Sequence, residues 1–321
     1  MINLKSSTIR QWSRLGQRGV YGQALLKLAS EGNSSLFAIS ADLGNSSGLD
    51  RFKRDFASQF LNIGIAEQNM IGFASGLSTL SKNVFLSSFA PFITMRAAEQ
   101  VRMNLAYMKS NVKIVSIGSG ISMGYLGNSH FGLEDISIIR SMPNIPVYAP
   151  CDCLELFRIL EYLSSYDGPA YLRLTGTSPS TSLLPDDYQF IPENIPILRD
   201  GNDLLVLSYG SILANIVSSV DTLNTHSICV ANVPYLSASS QLVDLISKFN
   251  KILVIEEHFK TGALCSIVKE ILVDYNFPSK NVVFHSLPNA YLSSGDYSDL
   301  LTVYNLDKNS IIQLLSTLSS V

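Results

Sequence analysis

Charge is what this sequence has least of for its size. Asp, Glu, Lys and Arg make up 15% of the 321 residues while 46% are apolar, against a usual charged share of about 25%. So little polar surface on a chain this long implies that a large area is covered by another polypeptide. The net charge of -3 excludes nucleic acid and anionic membrane as main partners. Lys5, Arg10, Arg14 and Arg18 are scattered rather than clustered. Cysteine is scarce as well. Cys151, Cys153, Cys229 and Cys265 lack the paired spacing of a zinc site, and a single Cys-x-Cys does not make one. We expect reduced structural thiols and no metal site on this chain. No apolar run reaches the roughly 20 residues that span a bilayer. The start lacks the apolar stretch of a signal peptide, and no Walker-type glycine loop occurs. The expectation is a cytoplasmic protein.

Short apolar runs alternate with helical patterns in two blocks. In the first, the spacing predicts helices over 18–30, 65–81, 92–109, 133–140 and 154–163. Strands are expected over 36–40, 84–87, 112–117, 145–148 and 170–174. Ser, Thr, Pro and Asp then dominate 176–196, which reads as a linker. The second block predicts strands over 204–208, 227–230, 252–255 and 282–285, and helices over 212–223, 241–249 and 262–273. This is the signature of an α/β protein with two doubly wound, mostly parallel-sheet domains. We expect a first domain over 1–180, a linker over 181–200 and a smaller second domain over 201–321.

One segment resists a packing explanation. In Phe60-Leu61-Asn62-Ile63-Gly64-Ile65-Ala66-Glu67-Gln68-Asn69-Met70 a glycine turn runs into an apolar helix with a carboxylate in its first turn. Ala66, Met70, Ile71, Phe73, Ala74 and Leu77 recur at mixed helical spacings, as in a helix buried on most sides. An ionised glutamate is rarely buried without a partner. The plain alternative is a carboxylate capping its own helix.

Gly64-Ile65-Ala66-Glu67-Gln68 resembles the pyrimidine-binding domain of the transketolase family. That family includes 1-deoxyxylulose-5-phosphate synthases and the β subunits of 2-oxo acid dehydrogenases. Three more blocks follow the family order. Ala41-Asp42-Leu43-Gly44-Asn45-Ser46 resembles its A-D-L-x-x-S motif, and Ser88-Phe89-Ala90-Pro91-Phe92 resembles its pyrimidine-stacking segment. Gly127-Asn128-Ser129-His130-Phe131-Gly132-Leu133-Glu134-Asp135-Ile136 resembles G-x-T-H-x-x-x-E-D-I. The second block resembles the smaller C-terminal domain, where Ile255-Glu256-Glu257-His258 followed by Gly262 matches a recurring edge motif.

The resemblance implies thiamine diphosphate as cofactor, with Glu67 hydrogen-bonded to N1′ of its aminopyrimidine. Such a carboxyl favours the imino tautomer, whose 4′ nitrogen removes the C2 proton intramolecularly. Glu67 is then expected to titrate above an exposed glutamate, burial outweighing the helix N-terminus. Phe89 and Phe92, three apart, read as core by spacing alone; the resemblance makes them walls of the aminopyrimidine, with Ile65 as a further cofactor contact. Asp42 and Ser46 would reach the interface side of the cofactor or the substrate mouth, although Gly44-Asn45-Ser46-Ser47-Gly48 would form a turn regardless. His130 would contact the substrate carbonyl and its developing alkoxide.

Full-length transketolases carry a further domain whose G-D-G motif and following Asn hold magnesium and the diphosphate. No G-D-G occurs here. The resemblance therefore implies a split enzyme, in which a separate N-terminal diphosphate-binding subunit supplies that domain and the Mg2+, in an α2β2 heterotetramer.

Departures from the family pattern bear on substrate. Leu126 stands where a hydroxyl-binding Asp is usual, and Gly118 and Gly176 stand where a His and an Arg bind the sugar phosphate. Arg18 and Ser46 do match other phosphate contacts. Losing the His and the bidentate Arg would cost several kcal/mol if nothing replaced them. Arg173 is the nearest replacement, but strand alternation turns it to the opposite face from Gly176. The expected reaction is transfer of a two-carbon ketol unit between sugar-type substrates, with a nucleotide-linked or unphosphorylated keto sugar favoured. Decarboxylation of a 2-oxo acid with acyl transfer to a carbonyl acceptor stays open, as does a non-catalytic partner subunit.

Overall fold

The computed structural model describes residues 2, 4–32, 35–80, 83–176, 179, 181–225, 227–277 and 279–319. Position 81, the end of the expected second helix, and positions 177, 178 and 180 of the expected linker lie outside that set.

The first block folds around six strands. They are β1 (Leu36–Ser40), β2 (Phe60–Asn62), β3 (Asn83–Phe89), β4 (Val112–Ile117), β5 (Val147–Tyr148) and β6 (Ala170–Arg173). All pair in parallel in the order β2-β1-β3-β4-β6-β5. Every residue of β3 and β4 is buried, as central strands covered on both faces require. The accompanying helices are α1 (Ser6–Trp12), α2 (Gly16–Ser30), α3 (Asp50–Asp55), α4 (Glu67–Ser78), α5 (Ala98–Gln100), α6 (Asp135–Arg140) and α7 (Cys153–Leu163).

The second block has β7 (Ile197–Arg199), β8 (Leu204–Ser208), β9 (Ile228–Asn232), β10 (Lys251–Phe259) and β11 (Asn281–Leu287). Their order is β11-β10-β8-β9-β7, parallel except for β7 against β9. Its helices are α8 (Leu213–Leu223), α9 (Ser240–Ser247), α10 (Leu264–Asp274), α11 (Tyr297–Val303) and α12 (Lys308–Ser319). The fold class expected from the alternation is the one observed.

The two units share a boundary. Ile117 and Leu174 of the first belong to one buried apolar cluster with Val206 and Ile255 of the second. Backbone bonds from Ala149 N–H to Pro234 O (2.9 Å) and from Leu236 N–H to Val147 O (3.0 Å) cross it as well. Among the described residues no helix is long and apolar enough to cross a membrane, and the four cysteines are free and buried.

Four differences from the sequence reading matter. First, β7 lies inside the stretch expected as linker, because its short run Ile197-Leu198-Arg199 finds an edge partner in β9. Second, the helix expected over 92–109 is two π-helical segments, Phe92–Arg96 and Val101–Tyr107, around α5. Third, α4 starts at Glu67 rather than at 65. Fourth, α4 is not buried on most sides. Met70, Ile71, Ala74 and Ser75 face the sheet, whereas Asn69, Gly72, Phe73 and Gly76 are exposed.

Candidate active site

The motif residues converge on the carboxyl edge of the first sheet. Asp42 follows β1, Glu67 follows β2, Phe89 and Phe92 lie at the end of β3, and the loop after β4 carries His130. In an open parallel sheet this edge is where ligands bind, because side chains and loop amides converge there from adjacent strands.

Glu67 is the first residue of α4 and only 2% exposed. Gly64 just before it has φ +78, a left-handed turn that glycine takes without Cβ strain. Arg96 Nη1 lies 3.0 Å from Glu67 Oε2, and the described residues place no hydrogen bond on Oε1. Arg96 in turn stacks its guanidinium over the Phe92 ring, Cζ 4.3 Å from the centroid. The π turn over Phe92–Arg96 puts these two on one side of the segment, and such insertions in helices are frequent at functional sites.

Phe92, Phe89 and His130 form an aromatic triangle. Ring centroids are 5.7 Å apart for Phe89 and Phe92, 5.3 Å for Phe89 and His130, and 5.1 Å for Phe92 and His130, all edge-on. Burial, aided by the Arg96 charge, lowers the His130 pKa below the ordinary value, so the ring is neutral at pH 7. Ser129 Oγ donates to Leu126 O at 3.1 Å and lies 2.9 Å from His130 Nδ1. With its proton on Leu126, Ser129 accepts from Nδ1–H, and Nε2 carries the free lone pair.

The remaining sequence candidates stand around this core. Ile65 is 77% exposed, an apolar side chain in solvent beside the buried carboxylate. Asp42 is tied to Asn62 by a reciprocal pair, Asp42 N–H to Asn62 Oδ1 (2.9 Å) and Asn62 Nδ2 to Asp42 Oδ1 (3.0 Å). Gly64 N–H also donates to Asn62 Oδ1 (3.1 Å), so Asp42 braces the turn before Glu67. Arg18 and Ser46 lie on abutting segments, since a Cβ on Gly48 would stand 2.7 Å from Arg18 O. No hydrogen bond among the described residues joins either of them to Glu67 or His130. Leu126 is half exposed on the His130 loop.

Arg173 is buried and engaged. Its Nε lies 3.0 Å from Asp135 Oδ2, and its Nη2 donates to Gly132 O (3.0 Å) and Glu257 O (3.1 Å). It does not replace the missing arginine at 176.

Gly118 stands beside the triangle, and Gly176 stands on a separate cleft. A Cβ on Gly118 would lie 3.2 Å from Phe89 and 2.6 Å from Met123, and one on Gly176 would lie 3.4 Å from Ser122 O. Gly176 lines a cleft of about 450 Å³ between the two units, shared with Gln17, Thr175, Asn215, Asp296 and Tyr297. Asp296 is the one charged residue among the described residues of its wall.

Arg96 is the functional candidate that the sequence motifs did not single out. Its only signal is position, four residues after Phe92, and four-residue spacing in an apolar segment describes any helix. Among the described residues no group of three or more His, Cys, Asp or Glu could hold a metal ion.

Comparison with known proteins gives a consistent answer. The family model for the transketolase pyrimidine binding domain matches residues 14–178, and that for the transketolase C-terminal domain matches residues 193–311. The chain is 31% identical over 288 residues to a subunit of the apulose-4-phosphate transketolase of Actinobacillus succinogenes, covering 88% of this chain and 92% of the relative. It is also 31% identical over 247 residues to the 6-deoxy-6-sulfo-D-fructose transketolase subunit of a Clostridium species, covering 77% of this chain and 74% of the relative. A solved structure described as a split gene transketolase, inactive beta4 tetramer, superposes with a TM-score of 0.82 at 29% identity, covering 95% of this chain and 98% of that one.

Proposed function

This chain belongs to the transketolase family, and from that premise we propose that it is the C-terminal subunit of a split, thiamine diphosphate-dependent transketolase-like enzyme of the cytoplasm. The reaction is transfer of a two-carbon ketol unit between sugar-type substrates. The observation that carries this reading is Glu67, a buried carboxylate with one oxygen on Arg96 and the other unclaimed, beside the Phe89, Phe92 and His130 rings.

These residues fit the aminopyrimidine half of the cofactor, having one carboxylate oxygen to share a proton and an aromatic wall to border a flat ring. When bound, thiamine diphosphate supplies the electron sink that lets the bond next to a ketose carbonyl break and re-form. Glu67 offers its free oxygen to share a proton with the cofactor ring, and Arg96 keeps the other oxygen fixed. Phe89 and Phe92 keep water from one side of the site. His130, neutral and with Nε2 free, takes a proton from a substrate hydroxyl and returns it to the oxygen of the developing alcohol. Ile65 borders the cofactor, and Asp42 braces the turn that carries Glu67.

The diphosphate and Mg2+ belong to a partner subunit in this reading, in an α2β2 heterotetramer. Support comes from the naming of both relatives as transketolase subunits and from apolar side chains left in solvent at the site and on the helical segments that lead from it. Besides Ile65, these include Phe73, Met95, Met103 and Tyr107.

The relatives named above act, by their names, on a sugar phosphate and a sulfo sugar. Here the cleft lined by Gly176 offers Asp296 and neutral groups, so an unphosphorylated or nucleotide-linked keto sugar suits it better than a terminal phosphate. Arg18 and Ser46 remain the candidates for any anionic group at the mouth.

The test is calorimetric titration of thiamine diphosphate and Mg2+ into this chain alone and mixed with a diphosphate-domain subunit, for wild type and Glu67→Gln. Saturable binding in the mixture only, with turnover lost in the variant, is expected. Near-normal turnover in Glu67→Gln would sink the reading.

A further inference from the structure

We propose that the second domain acts on the reaction through a polar clamp, in which Asn128 and Glu257 are positioning residues for His130. The inference rests on the reading of His130 as the group that meets substrate.

The loop over 118–132 is held at its base by the first domain. Ser119 N–H donates to Leu174 O (3.0 Å), while Gly120 and Gly132 exchange both backbone bonds (2.9 and 3.0 Å). Its outer half is held by the second domain instead. Ile121 N–H donates to Glu257 Oε1 (2.8 Å), and the other oxygen of that carboxylate accepts from Tyr297 O–H (2.9 Å). Asn128 makes a reciprocal pair with one peptide, Nδ2 to Leu292 O (2.7 Å) and Oδ1 from Leu292 N–H (2.8 Å).

Three points make this more than general packing. A reciprocal amide pair fixes direction as well as distance, and Asn128 is two residues from His130. At the loop's tip Tyr125 is largely in solvent and Leu126 is half exposed, so burial of the tip does not set its position. Glu257 is 3% exposed, a costly place for a carboxylate unless its hydrogen bonds hold something. A Cβ on Gly120 (φ +66) would stand 2.2 Å from Glu257 Oε1, so the loop leaves room for this contact through a glycine. The imidazole position in the aromatic triangle thus depends in part on contacts from outside its own domain.

The experiment uses the chain assembled with its diphosphate-domain subunit, thiamine diphosphate and Mg2+. Hydroxypyruvate is the ketol donor and D-glyceraldehyde the acceptor. Asn128→Ala is expected to lower kcat about 10- to 100-fold, as loss of near-attack geometry does, with acceptor KM and cofactor affinity within about threefold. Glu257→Ala should behave alike. Glu257→Gln, which keeps an acceptor for Ile121 and a donor for Tyr297, should restore kcat to within about threefold of wild type. In Asn128→Ala the His130 ring should titrate closer to its ordinary value by NMR, a change that a loss of stability alone would not produce. Full kcat in Asn128→Ala beside a dead His130→Ala would overturn the clamp and leave the functional reading standing. Full kcat in His130→Ala would overturn both.

Discussion

At the residue scale, the proposed chemistry rests on the pairing of Glu67 with Arg96. A carboxylate at 2% exposure is tolerated because a guanidinium at 3.0 Å offsets its desolvation. In the assembled enzyme we expect Glu67→Gln to retain fold and subunit assembly and to lose turnover by about 100-fold or more, the scale of a lost general acid-base group. Steady-state rates beside sedimentation profiles of the two forms check this. Arg96 also bears on His130, whose imidazolium it disfavours. Removing that charge in Arg96→Gln raises the His130 pKa, so the acid limb of kcat should move to higher pH. A limb that stayed put would remove Arg96 from the account. Glu67, Phe89, Phe92 and His130 could be nominated from the sequence because each lies in a block with a recognisable order. Arg96 could not, because its role arises from a π turn that no residue spacing announces.

At the scale of elements, the boundary between the units is built from buried polar groups rather than from apolar contact alone. Asp135, Arg173, Glu257 and His258 are each buried there, with Arg173 joining Asp135 to the backbone of Gly132 and Glu257. Gly120 lies against this network. Gly120→Ala combines a left-handed φ with a clash at the Glu257 carboxylate, and about 1–3 kcal/mol of stability should be lost, as denaturant unfolding would register. His258 gives the boundary a pH dependence. Burial, with Arg173 adding to it and Asp135 opposing, holds its pKa down at about 4 against an ordinary 6.5. Between those values the unfolded chain binds the proton and the folded chain does not. Its contribution is therefore complete above about pH 6.5 and falls as the pH drops toward 4, by about 3 kcal/mol in all. Glu155 runs the other way. Burial raises its pKa to about 7 from 4.5, so its contribution falls as pH rises between those values. His258→Gln should remove the acid-side loss, and the difference from wild type in urea unfolding should change across pH 4 to 6.5. A difference independent of pH would contradict the assignment.

Across the whole molecule, low charge and exposed apolar groups point to one consequence. Ile65, at 77% exposure, borders the site, and Tyr107, at 75%, ends the helical segment that leads away from it. Tyr107→Glu should weaken assembly with the diphosphate-domain subunit about tenfold or more if that side chain is buried there as an aromatic anchor, while the melting temperature of the isolated chain stays nearly unchanged. Sedimentation velocity of the mixture would detect the loss. The proposed preference for an unphosphorylated donor also belongs to this scale, because it rests on the cleft between the units. With Gly176 and Asp296 in its wall, D-fructose should outperform D-fructose 6-phosphate as donor, and Gly176→Arg should narrow or reverse that order in kcat/KM. By itself, the sequence determined the α/β alternation, the four motif blocks and the absence of a diphosphate motif, because these are local in the chain. Only the tertiary structure decided that Arg96 meets Glu67, that Arg173 is consumed by Asp135, that one face of α4 is bare, and that Leu292 and Glu257 grip the His130 loop. Each joins segments distant in sequence or turns on exact side-chain direction, and periodicity carries no information about either.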